Sequence, residues 1–588
     1  MEADRKNYNK TPFVDTGESR FDVIRGWDAI VSCVQQRISQ ISKPRKIVVI
    51  ETYQGVCHSE VGAAFRKGLS FDDFIESTDY MLAEDMLHKL LYPYITDHPV
   101  FGTICPLDIT SFFDATLVGR LKSKISLKEE GTLIFYGPGA AYLAGEPDLI
   151  VYADMARWEI QQRMRQGLVC NVGFRNRSAS DWMLHYKQGF FVDWRVCDRI
   201  KQALLPICDY VLDTNRLGSP AMIEGAALLY GLHRAVQQPI SLVPFFDPGP
   251  WGGQWMKQFC RLDQTVVNYA WCFNCVPEEN SLYLKYSGEL FETPAINLVF
   301  FFPRDLLGNH VYNLYGAEFP IRFDFLDTMG GGNLSLQVHP DRAYIKQHFG
   351  MQYTQEESYY ILDCEQDATV FLGLRSDVVP EEMMQQLDEA QKGDMLFQAE
   401  RYVQSWPVRK HDHLLIPAGT VHCSGKNSMV LEISSTPYIF TFKLWDWGRL
   451  GLDGKPRPIS LEHGKQVIQW NRTTEWTRKQ LINRVEILDR GVDWVEERTG
   501  LEESQPIETR RFWFSACTEH QTEGNVHVLC LVHGLDIVVE SPDRLFAPFT
   551  VHYAEVFIVP AVVERYILRV LTPATDGLCA VVKAYIRM

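Results

Sequence analysis

Residues 333–342 read NLSLQVHPDR, and this run decides how the second half of the chain is built. Side chains two apart on a strand share a face, so Gln337 and His339 point one way while Leu336 and Val338 pack the other way. Two later runs carry complementary donors: ESYYIL at 357–362 begins with Glu357, and IPAGTVHCSG at 416–425 contains His422. The first is apolar and aromatic and predicts another strand; the Pro-Ala-Gly turn before His422 predicts a hairpin beside it. Two imidazoles, a carboxylate and an amide oxygen form an N2O2 donor set. Such a set suits zinc or a similar divalent ion, with at least one position left for water or substrate.

At 588 residues the chain is too long for one core, and length alone predicts about three or four domains. The opening MEADRKNYNK is charged and lacks the apolar stretch of a signal peptide, and no later apolar run reaches the ~20 residues of a membrane helix. The expectation is a cytoplasmic protein with no membrane partner. Its 14 cysteines are scattered, and the C-x-x-C pair Cys272 and Cys275 has no second pair at zinc-ribbon spacing, which predicts reduced, mostly buried thiols. A net charge of −16 argues against a nucleic-acid partner, because phosphate backbones are bound through clustered basic charge. It leaves room for a small anionic substrate, which senses only its own pocket.

Along the chain, residues 1–44 read as a polar lead and a short amphipathic helix, with Trp27, Ile30, Val31 and Val34 at helical spacing. From residue 45 to 238, short apolar strands (Ile47 to Ile50, Leu133 to Tyr136, Leu149 to Ala153, Tyr210 to Asp213) alternate with helix-like segments, the pattern of an α/β unit with a parallel sheet. The Pro- and Gly-rich run QQPISLVPFFDPGPWGG at 237–253 divides this half from a strand-and-turn half at 245–461. Residues 462–511 predict a charged, largely helical connector, and 512–588 a small β-domain.

In ETYQGVCHSEV, at 51–61, a strand turns into a helix where a phosphate-cradling loop would lie. The glycine and the lysine that such a loop needs are replaced: the positions read Thr52, Gly55, Cys57, His58 and Ser59. In the order of its elements this half resembles the P-loop nucleoside and uridine kinases, with a degenerate motif, and no kinase activity is expected. Arg157, Arg163 and Arg165 read as a solvated helix face, with a remnant of a lid as the alternative.

From PWGG at 250–253 to Gly464, the motifs LSLQVHPD, ESYYILDC, IPAGTVHCSG and FKLWDWGRLGLDGKPRP occur in the order found in class I mannose-6-phosphate isomerases, and the segment resembles these zinc-dependent cupins. The resemblance implies Gln337, His339, Glu357 and His422 as ligands of Zn2+. It also puts Lys443 where the family commonly has an arginine near the reacting carbons, which makes Lys443 the candidate catalytic cation. Tyr269 stands where the family usually has a glutamate. Arg342 and Arg449 are candidates for the substrate phosphate, whereas Lys455 and Arg457 read as surface charges. Asp341 or Asp363 could orient a ligand from behind, and His411 and His413 read as barrel-mouth or core residues. The final segment, with His527 and His533, resembles the smaller, metal-free second cupin of these enzymes.

The expected protein is therefore multidomain, an α/β P-loop-like domain followed by all-β cupin barrels with a helical insertion. The implied activity is interconversion of mannose 6-phosphate and fructose 6-phosphate. A non-catalytic sugar-phosphate sensor or scaffold is the alternative raised by Lys443 and Tyr269, and a small-molecule phosphotransferase is disfavoured by Cys57 and His58.

Overall fold

The apolar runs of the first half become the strands of one seven-stranded sheet in a computed structural model that describes residues 7–17, 21–393, 395–435, 439–452, 454, 457–500 and 505–587. In space the order is Asp73–Glu76, Gly131–Gly137, Arg45–Thr52, Leu149–Asp154, Tyr210–Asp213, Ala221–Glu224 and Ile24–Arg25. The first five strands are parallel and the last two antiparallel. Helices cover a parallel sheet on both faces, so its central strand has no polar side to show, and Ile47 through Thr52 are all buried. The predicted amphipathic helix spans Trp27–Gln40 and buries Ile30, Val31, Val34 and Ile38.

By its contacts the chain forms two compact units, one of Phe13–Ala235 with Ser281–Phe301, the other of Met1–Pro12, Val236–Asn280 and Phe302–Met588. The excursion at 281–301 was not readable from linear order. It supplies strands Ser281–Tyr286 and Glu289–Pro294, which join Phe13–Asp15 in a three-stranded sheet of the first unit.

The strand at Arg45–Thr52 runs through the loop 53–57 into helix His58–Gly68. One side of the loop is packed with protein. Tyr53 donates to Asp198 at 2.7 Å, Gln54 accepts from the Trp194 indole at 2.9 Å, and a Cβ on Gly55 would meet Ile160 at 2.6 Å. Reading Arg157 and Arg163 as solvated was wrong. Arg157 is 4% and Arg163 1% exposed; Arg157 pairs with Asp198, and Arg163 donates to the carbonyls of Gly55 at 3.1 Å and Asn215 at 3.2 Å. Carbonyl acceptors are invisible in a charge pattern, which is why this burial escaped the sequence.

The second unit holds two pairs of sheets. In the first pair a six-stranded sheet (His413–Ile416, Glu357–Cys364, Ser428–Ser435, Ile321–Asp327, Trp271–Cys275, Phe245–Asp247) accompanies a five-stranded one (Val403–Pro407, Thr369–Leu374, His422–Ser424, Leu336–Val338, Phe442–Trp445). The second pair has six strands and four, around a core that includes Phe512, Phe514, Leu529, Phe557, Tyr566 and Val581. This multidomain, sheet-rich architecture is consistent with the cupin expectation.

Two local expectations are corrected. Among its described residues the segment 462–511 has helices only at Leu461–Val467 and Thr474–Gln480; Glu486–Arg490 and Trp494–Arg498 are a β-hairpin on the edge of the last six-stranded sheet. An edge hairpin wets both faces of its outer strand, so its charges mimic a solvated helix. The turn before His422 closes no hairpin either. It carries the chain from His413–Ile416, which pairs with the Glu357 strand, across to His422–Ser424 in the other sheet. No helix among the described residues is long and apolar enough to cross a membrane.

Candidate metal and sugar-phosphate site

Glu357 opens a strand of one sheet, whereas Gln337, His339 and His422 come from the facing one: Gln337 is the central residue of Leu336–Val338, His339 follows directly, and Gln337 is the register partner of His422. All four are buried, with Gln337 9%, His339 1%, Glu357 1% and His422 0% exposed. His339 Nε2 lies 3.1 Å from Glu357 Oε2, and His422 Nε2 lies 2.7 Å from Glu357 Oε1. The Gln337 amide is 3.3 Å from His422 Nε2. The ligand atoms of His339, Glu357 and His422 all fall within 4.8 Å of one another, a group that could hold a metal ion.

The donors themselves test that fit. His422 Nδ1 is 2.8 Å from the Thr420 carbonyl and His339 Nδ1 is 3.3 Å from that of Phe440. A carbonyl accepts only, so each neutral ring keeps its proton on Nδ1 and turns the Nε2 lone pair toward Glu357. His339 Nε2 and Glu357 Oε1 are buried without a hydrogen-bond partner. Burial alone would raise the Glu357 carboxyl, but the two imidazoles hold it well below its usual range. That carboxylate needs positive charge beside it, from added protons on the imidazoles or from a metal ion. Behind it lie two more buried carboxyls, Asp324 and Glu432, with Arg322 between them. Burial raises the Asp324 and Glu432 carboxyls above their usual range, and Arg322 pairs with both. The unpartnered His339 Nε2 and Glu357 Oε1 are the buried donors that fit a divalent metal ion.

Lys443, on Phe442–Trp445, is the register partner of Gln337 on the side away from His422. Cross-strand partners share a face, which brings its ammonium to the face of Gln337. Burial, with Arg457 and Arg449 nearby, pushes its pKa down to about 7. Arg449 grips Asp446 Oδ1 through Nε at 3.0 Å and Nη2 at 2.7 Å, and Arg457 reaches Asp446 Oδ2 at 2.8 Å and Ser335 Oγ at 3.0 Å. Arg457 is thus a partner in this cluster, with only 15% of its side chain exposed, and not the surface charge it resembled in sequence. The overlooked signal was Asp446, an acid that two arginines share. Lys455 lies outside the described residues.

Other candidates sit elsewhere. Arg342 is exposed and donates to the Gln352 carbonyl at 3.0 Å. Asp341 caps helix Arg342–Phe349 by accepting from Tyr344 N, and Asp363 accepts from the Trp255 indole, so neither orients a ligand. The backbone carbonyls of Thr420 and Phe440 do that instead. The Tyr269 hydroxyl donates to the Asp263 carbonyl at 3.4 Å, and His413 is buried against Ser358 Oγ at 2.9 Å. In the first unit a cavity of about 760 Å³ lies beside loop 53–57. Its cations Arg66, Arg175 and Arg177 are matched by Glu76, Asp79 and Glu84, so its lining sets no charge preference.

Residues 26–237 match a family described as a domain of unknown function (DUF8485). Mannose-6-phosphate isomerase ManA of Bacillus subtilis is 26% identical over 233 residues, spanning 40% of this chain and 68% of that protein. The mannose-6-phosphate isomerase of Streptococcus mutans is 26% identical over 250 residues, 41% of this chain and 73% of that protein. This chain is similar in sequence to the mannose-6-phosphate isomerases. The solved mannose 6-phosphate isomerase of Bacillus subtilis aligns with 60% of this chain over 100% of its own length, with a TM-score of 0.49 and 17% identity.

Proposed function

We propose that the protein is a zinc-dependent isomerase that interconverts mannose 6-phosphate and fructose 6-phosphate. The observation that carries this reading is the convergence of His339, Glu357 and His422 beside Gln337, all four of them buried. The similarity to curated mannose-6-phosphate isomerases supplies the substrate class.

Aldose–ketose interconversion takes a proton from the carbon beside a carbonyl and leaves negative charge on the neighbouring oxygens. In this reading Gln337, through its amide oxygen, and His339, Glu357 and His422 would hold the metal. A zinc ion bound there supplies Lewis-acid stabilisation of that charge. Lys443, the register partner of Gln337, would add a second cation to hold the same charge. Arg449 and Arg457, bridged by Asp446, receive the phosphate end, which fixes C-1 and C-2 against the donors. The buried walls exclude bulk water and strengthen each of these contacts.

Mannose 6-phosphate carrying deuterium at C-2 tests the proton step. The proposed enzyme moves that deuteron to C-1 of fructose 6-phosphate or exchanges it with solvent, and NMR follows both. Retention of the label at C-2 by metal-loaded protein would instead favour a sugar-phosphate sensor that binds without turnover.

A further inference from the structure

Gln355 stands two residues before Glu357, is 2% exposed, and donates its amide N–H to Glu357 Oε2 at 2.8 Å. The same nitrogen lies 3.5 Å from Glu432 Oε1. Glu357 is the ionised acceptor of the two, which fixes the amide orientation chemically: only the NH2 end can face it. Glu432 Oε1 is in turn 3.5 Å from Arg322 Nη2, and Arg322 holds Asp324 through Nε and Nη2 at 3.1 and 3.2 Å.

We infer that Gln355 is a positioning residue, whose amide links Glu357 to the buried Arg322 pair and sets the carboxylate rotation that presents Oε1 to His422 and Oε2 to His339. Glu357 opens its strand with two other acids behind it, Asp324 and Glu432. The Gln355 amide nitrogen, shared between Glu357 Oε2 and Glu432 Oε1, ties the Glu357 carboxylate to a fixed neighbour and limits its rotation about the last side-chain bond. This role rests on the metal-site reading above and adds to it a residue that touches neither substrate nor ion.

The test titrates metal-free, full-length protein with zinc against a chromophoric chelator and records the cobalt(II) spectrum of each variant, a readout of ligand geometry. Gln355→Leu should weaken zinc binding about 10–100-fold and alter the cobalt bands. Gln355→Lys, which still donates to both carboxylates, should restore both. Gln355→Met serves as the apolar variant if the leucine form does not fold. Wild-type affinity and an unchanged cobalt spectrum in the apolar variant would overturn the inference while the metal reading stands. So would a loss that the lysine variant fails to restore. A wild-type protein that takes up no zinc would overturn both.

Discussion

Glu357 Oε1 lies 2.7 Å from His422 Nε2, although His422 directs its Nδ1 proton to the Thr420 carbonyl. Two buried acceptor atoms at that separation repel unless a proton or a metal ion joins them. The relationship predicts that His339→Ala and His422→Ala each lose most bound zinc and at least ~10²-fold in kcat. The first unit, which has its own sheet and core, should still unfold cooperatively in both. Metal analysis and calorimetry check this. Full metal retention in both variants would remove these histidines from the site.

Lys443 is expected to act on the reacting end of the sugar. Lys443→Met should keep metal and fold but lower kcat about 10²-fold, with a smaller change in KM. With a pKa pushed down to about 7, the ammonium is charged below that pH and neutral above it. Its contribution to turnover therefore falls as pH rises through about 7. Lys443→Arg, charged throughout, should stay active and move the alkaline limb of the kcat profile upward. Near-wild-type turnover in Lys443→Met would shift the search for the cation to Arg449.

The phosphate end predicts a different kinetic pattern. Arg449→Met or Arg457→Met removes a charge-assisted contact of about 1.5–3 kcal/mol and should raise KM about 10–100-fold with little change in kcat. Arg342→Met, at an exposed side chain tied to Gln352, should change neither. Steady-state kinetics of the three variants decide which arginines face the phosphate.

Strand periodicity and donor chemistry singled out Gln337, His339, Glu357 and His422, which the fold brings close together, and the four apolar runs of the first half announced their strands. What stayed hidden depends on contacts distant in sequence. Nothing local says that His422 crosses to the opposite sheet, that residues 281–301 return to the first unit, or that Arg457 shares Asp446 with Arg449. The hairpin at 486–498 was misread for another reason: an edge strand exposed on both faces has lost the alternation by which strands are recognised.

The first unit should not transfer phosphate from ATP. The loop has no lysine for a phosphate, with Cys57 and His58 in its place; Ile160 fills the Cβ side of Gly55, and Arg163 spends its N–H groups on the Gly55 and Asn215 carbonyls. The expected outcome with sugars or nucleosides as acceptors is no product above background in a radiolabelled-ATP assay. Robust transfer that is lost in Ser59→Ala would contradict this packing argument.

The most direct measurement is the rate of fructose 6-phosphate formation from mannose 6-phosphate by the full-length chain, before chelation, after it, and after zinc is returned. The account predicts turnover that chelation abolishes and a single equivalent of zinc restores. Turnover indifferent to chelation, or none in protein shown to carry the metal, would contradict it.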